Sequence, residues 1–280
     1  MLGTAAGSVG DVTLMRRMGK QVSRLRVREV ANPKTYGQAR QRCYMAPIPK
    51  FYAPLAIALE KSWEGKNKSE SYSAFLKKNA QLARVNNWTL PKGTGFYPLP
   101  YRVSNGTLPS VNADIYFEGN NAFIEIKGDF TTVGSPSFGD FSNSMLKNFG
   151  LLNGDQLTFI IINRVDTGIF IPKQFRMFLD VNSVESLSTV FGRYGLSVYT
   201  RNQNHILIPS NGETNTMVAC CVIASRWENN QWRRSIESMS CAPEILAAIN
   251  PVDDGAANIG TYMTSSDANP SDVYLNGSAE

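Results

Sequence analysis

Three charged residues in the middle of the chain have the types and spacing that could bind a divalent cation beside a phosphate. They are Asp114, Glu125 and Lys127, and they lie in two segments that alternate apolar and polar residues as strands do. If Phe117 pairs with Ala122 in a hairpin, Asp114 lies opposite Glu125, with Lys127 on the same face. Two facing carboxylates repel each other unless a cation lies near them, and Mg²⁺ prefers such oxygen ligands.

This pattern is similar to the metal site of the restriction-endonuclease-like nucleases. The similarity implies that Asp114 and Glu125 would hold Mg²⁺, while Lys127 would steady the attacking water or the charge on the phosphate. An acid followed at a distance by Glu-x-Lys also arises often by chance, and Lys127 can itself neutralise the pair. We therefore favour an ordinary amphipathic hairpin with no catalytic residue and no cofactor, and keep the Mg²⁺-dependent nuclease as the alternative.

Positive charge is concentrated near the N-terminus. Residues 12–50 contain ten Lys or Arg but only one acid, Glu29, whereas the whole chain of 280 residues has a net charge of +5. The rest of the chain is therefore net negative, and the basic segment is the part that would attract a polyanion. The residues that we predict to contact nucleic acid are Arg16, Arg17, Lys20, Arg24, Arg26, Arg28, Arg40 and Arg42.

Three of these arginines alternate with apolar residues in the run QVSRLRVREV. Alternation along a strand places Arg24, Arg26 and Arg28 on one face. It places Leu25 and Val27 on the other face, which we expect to be buried. Same-face arginines then recur about every 6.6 Å and can each bind phosphate through a planar guanidinium group. The alternative is a solvated strand face whose charges keep a sheet edge from pairing with other chains.

The succession of sequence patterns predicts an α+β protein. Before residue 86 the apolar residues recur at helical spacing, whereas later Gly, Pro and Asn become frequent and short alternating segments replace the helical ones. After Pro251 there is no Lys or Arg but there are five acids. The predicted regions are a basic β-hairpin arm at 1–31, a small helical region at 32–90, a mainly antiparallel, β-sandwich-like domain at 91–250 and an acidic flexible tail at 251–280.

Several classes of function lack the residues they need. The four cysteines have no zinc-site spacing, and His205 is the single histidine, which argues against zinc and histidine-base chemistry. No run approaches about 18 consecutive apolar residues, so no membrane span is expected. No aromatic pair alternates with the arginines of the basic strand in the manner of single-strand binders, and we expect most aromatic residues in the core.

Several segments resemble an uncharacterised family of Bacteroidota, a domain of unknown function found in their phages and mobile elements. The N-terminal ones are GSVGDVTLMRRMGKQ, ANPKTYGQARQR, KFYAPL and SWEGK. GDQLTFIII and VACCVIASRWENNQWRRS resemble the β-rich second half of that family. The resemblance implies a lineage and a helix-then-sheet layout, and it supplies no catalytic residue.

Taken together, these features predict a non-catalytic structural or assembly protein of a phage or mobile element, located in the bacterial cytoplasm or the virion. Its basic arm would contact nucleic acid or an acidic surface on a partner subunit, which includes another copy of the chain; no membrane partner is expected. The alternatives are the nuclease described above and a protein-interaction module whose arm pairs by strand addition.

The basic strand yields a quantitative prediction. If Arg24, Arg26 and Arg28 each neutralise one phosphate, the logarithm of affinity falls with the logarithm of salt concentration by about 0.9 per contact on duplex and about 0.7 on single strand. Replacing all three with Gln is expected to flatten this slope by roughly two to three units. A salt titration of binding measures it, and an unchanged slope in the triple variant would contradict the nucleic-acid arm.

Overall fold

The computed structural model describes residues 7–9, 12–17, 20–25, 35–118, 121–130, 136–166, 168–201, 205–209, 217–249 and 255–263. The chain divides into two compact units, residues 1–35 and residues 36–280, and each is treated by itself. Helices and antiparallel sheets are both present, so the predicted α+β class is confirmed.

The first unit contains a small antiparallel sheet in the order β1-β2-β3. Its strands are β1 (Gly7–Val9), β2 (Val12–Arg17) and β3 (Lys20–Leu25). Strands β2 and β3 form the predicted hairpin, in which Arg17 pairs with Lys20.

The burial expected for Leu25 was wrong. All six residues of β3 are exposed, and Leu25 retains 74% of its accessible surface. The alternation of a strand shows which residues share a face, but it does not show whether another element covers that face. Arg26, Val27 and Arg28 lie outside the described residues, as do the side chains of Arg16 and Arg17.

The second unit begins with three helices. They are α1 (Tyr36–Met45), α2 (Pro47–Leu59) and α3 (Lys68–Val85). Helix α3 starts at a capping box, in which Asn67 Oδ1 accepts from the Glu70 N–H at 3.0 Å and Glu70 Oε2 accepts from the Asn67 N–H at 3.1 Å. The apolar residues of α2 at helical spacing are buried, including Phe51, Leu55 and Leu59.

Strands and shorter helices make up the remainder of this unit. In chain order they are β4 (Asp114–Glu118), β5 (Asn121–Lys127), α4 (Phe138–Phe149), β6 (Gln156–Asp166), β7 (Ile169–Phe178), α5 (Leu187–Gly192), β8 (Tyr199–Arg201), β9 (His205–Pro209), β10 (Met217–Glu228), β11 (Gln231–Arg234), β12 (Ser240–Cys241), α6 (Pro243–Ile249) and α7 (Ala256–Met263). The larger sheet has the order β11-β10-β6-β7, with β12 also on β10, and the smaller sheet has the order β4-β5-β9-β8.

The central strands of the larger sheet, β6 and β10, are buried on both faces over most of their length. On one face Leu157, Phe159 and Ile161 of β6 share a core with β5, α4 and α5. On the other face Ile160 and Ile162 share a core with α2 and α3, so the helical and β-rich regions belong to one compact unit. Because helices as well as strands line these cores, the expected sandwich-like arrangement stays a prediction.

Part of the expected flexible tail is a packed helix, which corrects that prediction for residues 256–263. Ile259 of α7 is only 1% exposed and packs against Ala39 and Cys43 of α1. Thr261 Oγ1 accepts from the Lys92 N–H at 2.7 Å, which ties the helix to the loop after α3. The five acids and the absence of Lys and Arg after Pro251 suggested a flexible tail, but the apolar side chain of Ile259 is buried against α1.

Ile259→Ala tests whether α7 is part of the folded unit. We expect the free energy of unfolding to fall by about 2–3 kcal/mol, because a fully buried isoleucine loses its contacts and leaves a cavity. Urea denaturation measures the change. Val184→Ala is the control, since Val184 is 92% exposed and a surface change costs at most about 0.5 kcal/mol. Equal midpoints for Ile259→Ala and wild type would contradict the docking of α7.

Candidate functional site

A basic groove lies between α1 and α3. Its volume is about 900 Å³, within the range of ligand-binding clefts. The residues lining it are Gly37, Arg40, Gln41, Tyr44 and Met45 of α1 and Lys77, Ala80, Gln81 and Arg84 of α3. Most of them recur at positions i, i+3, i+4 and i+7, so each helix turns one face towards the groove.

The opposite face of α3 holds this geometry in place. Phe75, Asn79 and Ala83 are buried against the rest of the unit, which leaves Lys77 and Arg84 exposed on the groove side. Asn79 anchors the helix, because its Nδ2 donates to the Arg102 carbonyl at 2.9 Å and its Oδ1 accepts from the Arg102 N–H at 2.8 Å. The two groove cations of α3 therefore project from a rigid helix.

Arg40 is held in position by a tyrosine on its own helix. Its Nε donates to Tyr44 Oη at 2.8 Å, and its guanidinium carbon lies 5.7 Å from the centre of the Tyr44 ring. The Tyr44 hydroxyl in turn donates to Asn87 Oδ1 at 2.6 Å, just beyond the end of α3. This chain of hydrogen bonds links the two walls of the groove.

The electrostatics of the groove are one-sided. Three cations, Arg40, Lys77 and Arg84, line it, and no Asp or Glu is among the described residues that do so. A second groove of about 630 Å³, which shares Lys77 and Gln81 with the first, has a mixed lining that includes Glu64 and Glu70 beside lysines. Of these two clefts, the α1–α3 groove is therefore the better site for an anionic ligand.

Sequence reasoning found one wall of this groove and missed the other. Arg40 belongs to the predicted nucleic-acid-binding set, whereas Lys77 and Arg84 were absent from it. The available signal was their spacing of seven residues on a helix whose apolar residues point the other way. Among the other predicted residues, Arg42 is half-buried on α1, and Lys20 and Arg24 are exposed on β3 in the first unit.

The predicted pairing of the charged hairpin is confirmed. Asp114 faces Glu125 across β4 and β5, and Phe117 faces Ala122. Glu125 is only 6% exposed, and its strand lies between β4 and β9 in the sheet. Asp114 is exposed, and its carboxylate accepts a hydrogen bond from the hydroxyl of Ser240.

The two carboxylates of this hairpin have separate polar partners. Lys127 Nζ lies 3.3 Å from Glu125 Oε2, whereas Asp114 is bonded to Ser240 and to the Ile115 N–H at 2.9 Å. Within the described part of the chain, no group of three or more His, Cys, Asp or Glu is placed to hold a metal ion. Lys127 therefore supplies positive charge where the nuclease interpretation would put Mg²⁺.

Comparisons of the chain with protein-family models, with curated proteins and with solved structures find no match in any of the three.

Whether Lys127 or a metal ion compensates the Glu125 carboxylate can be tested by adding metal and by removing the Lys127 charge. We expect Mg²⁺ and Mn²⁺ to leave the thermal unfolding midpoint unchanged, because Lys127 already stabilises the buried carboxylate. Lys127→Met is expected to cost about 1–2 kcal/mol in urea denaturation, since the buried Glu125 carboxylate loses the cation that lies 3.3 Å from it. Glu125→Gln combined with Lys127→Met should recover most of that loss.

Lys173→Met, a change at an exposed lysine of β7, is the control for these variants. The contradicting outcome is a metal-dependent rise in the midpoint that Glu125→Gln abolishes. Metal-dependent cleavage of DNA or RNA that is lost in the same folded variant would establish the nuclease.

Proposed function

We propose that this protein is a non-catalytic structural or assembly protein of a phage or mobile element that binds nucleic acid through basic surfaces. The α1–α3 groove is the observation that carries the proposal, because the described residues that line it include three cations and no Asp or Glu. Such a surface favours an anion over a neutral or cationic partner. The proposed setting is the bacterial cytoplasm or the virion.

The spacing of the cations favours a chain of phosphates over a single small anion. Lys77 and Arg84 are seven residues apart on one helix, which is about 10.5 Å along its axis. That length corresponds to about three nucleotides at about 3.4 Å of rise each. Arg40 adds a third positive charge from the opposite wall, so a phosphate backbone could follow the groove.

The hairpin of the first unit supports the same proposal independently. Lys20 and Arg24 are exposed on β3, and the sequence around them is strongly basic. Exposed cations on a strand suit a polyanion, or an acidic surface on a partner subunit, including a second copy of the chain. None of the described helices is long and apolar enough to cross a membrane.

A metal-dependent nuclease is the second candidate. The observation that favours it is the register of β4 and β5, which brings Asp114 opposite Glu125 as that chemistry would require. The ion pair between Glu125 and Lys127 favours the structural interpretation instead.

The groove is tested by the double variant Lys77→Gln, Arg84→Gln. We expect binding of a duplex or single-stranded oligonucleotide to weaken and its salt slope to fall by about 1.4–1.8 units, because two phosphate contacts are lost. Gln is a good helix former, so α3 should persist. Fluorescence anisotropy of a labelled oligonucleotide, measured over a series of salt concentrations, gives the slope.

The matched control is Lys92→Gln with Lys173→Gln, which removes the same charge from exposed positions outside the groove. Its slope should stay near that of wild type. Equal changes of the salt slope in the two double variants would show that only net charge matters. That result would contradict the groove as the binding site. If the wild-type protein fails to bind either oligonucleotide at low salt, the proposed function is wrong.

A further inference from the structure

The hairpin of β10 and β11 presents an aromatic surface outside the basic groove. Trp227 and Trp232 face each other across the two strands, with ring centres 5.3 Å apart and ring planes at 66°. The connection is a tight turn in which Asn229 and Asn230 have φ values of 51° and 60°, as two-residue hairpin turns require. The pair is therefore held on a short, well-defined hairpin.

Trp227 is the exposed member of the pair, with 56% of its surface accessible. Its orientation is fixed by its neighbour Arg226, which makes a bidentate ion pair with the buried Asp155 at 2.9 and 2.7 Å on the other face of the strand. Successive strand residues point to opposite faces, so Trp227 projects away from Asp155. Trp232 supports it from the side.

A cation lies directly against this aromatic pair. The Arg234 guanidinium carbon is 4.6 Å from the centre of the Trp232 ring, and its Nε donates to the carbonyl of Lys61 at 2.9 Å. Arg234 is only 9% exposed, and its buried Nη1 has no hydrogen-bond partner among the described residues. Burial and the nearby charge of Arg176 lower the pKa of Arg234 to about 10.

The three acids near this surface lie close to two other cations. Glu60 lies 3.2 Å from Lys68, and Glu64 lies 2.9 Å from Arg233, which is also 3.8 Å from Glu228. Among the described ion pairs, none includes Lys61, Arg176 or Arg234. The five cations named here, Lys61, Lys68, Arg176, Arg233 and Arg234, therefore outnumber the three acids by two, and the surroundings of the hairpin are net positive.

We propose that this hairpin is a stacking site for single-stranded nucleic acid, in which an unpaired base stacks on Trp227 while Lys61, Arg176 and Arg234 attract the adjoining phosphates. The inference rests on the proposed function and adds the form of nucleic acid that is bound. An aromatic face beside unneutralised cations matches a base joined to a phosphate. Bases in a duplex are stacked on each other and cannot offer a face to Trp227.

A further exposed aromatic residue lies on the same face of the sheet. Phe178 of β7 is 58% exposed and is in register, through Gln156 and Ser225, with Arg234. Three strand spacings separate Phe178 from Arg234, which is about 14 Å. A single strand crossing the end of the sheet could therefore meet a second aromatic side chain.

The test compares a thymidine oligonucleotide with an abasic oligonucleotide of the same length, both bound to the full-length protein at one low salt concentration. The two probes share a sugar–phosphate chain and differ only in their bases. We expect wild type to prefer the thymidine probe by roughly 5-fold to 150-fold, the range for stacking one base. Trp227→Ala should abolish the preference, while Trp227→Phe should retain part of it.

Two charge variants separate this site from the groove. Lys61→Gln should weaken binding of both probes and lower the salt slope by about 0.7, because it removes one phosphate contact but no stacking surface. The groove variant Lys77→Gln, Arg84→Gln should weaken both probes and keep the preference for bases. Thermal unfolding of each variant confirms that it is folded.

Each outcome bears on a separate proposal. Equal affinity of wild type for the two probes would overturn the stacking site and leave the proposed polyanion binding intact. Equal weakening of both probes by Trp227→Ala would show a structural role for Trp227 and would also overturn the stacking site. Failure of wild type to bind either probe would overturn the proposed function together with the inference.

Discussion

The fold depends on a single sheet whose central strands are buried on both faces. Neighbouring residues of β6 and β10 alternate between two cores, and both sets are apolar, as in Ile160 and Ile161 or Cys220 and Cys221. Such strands are stable only if both faces are covered, because each face exposes too much apolar surface to water. The helices α2 and α3 cover one face, and β5 with α4 and α5 covers the other.

This arrangement also decides where polar side chains can be placed. Near the end of the sheet, Asp155 is 2% exposed and is satisfied by the bidentate ion pair with Arg226 and by the Leu152 N–H at 2.7 Å. That hydrogen bonding raises the pKa of Arg226, so the arginine stays charged. A buried carboxylate without such partners would cost several kcal/mol. Other cations, such as Lys77 and Arg84, are exposed at the surface, where they can bind an external anion.

The local sequence pattern predicted which strand residues pair, but it did not predict which side chains are buried by distant parts of the chain. Alternation and turn residues were enough to place Asp114 opposite Glu125, because register in a hairpin is a short-range property. The burial of Leu25 and the docking of Ile259 were missed, because both depend on contacts with distant parts of the chain. The groove was only half predicted for the same reason, since α1 and α3 bring Arg40 to Lys77 and Arg84 by tertiary packing.

The order of strands in the central sheet has a consequence for how the chain is made. Gln156 of β6 pairs with Ser225 of β10, so the sheet cannot form on the ribosome until most of the protein has been synthesised. Until then the apolar faces of α2 and α3 can meet only the β6–β7 hairpin, which lacks its neighbour β10. Pairing between strands that are distant in sequence slows folding and prolongs the exposure of apolar surfaces to solvent. A nascent chain of this protein would therefore be a natural client for chaperones that shield apolar segments during translation.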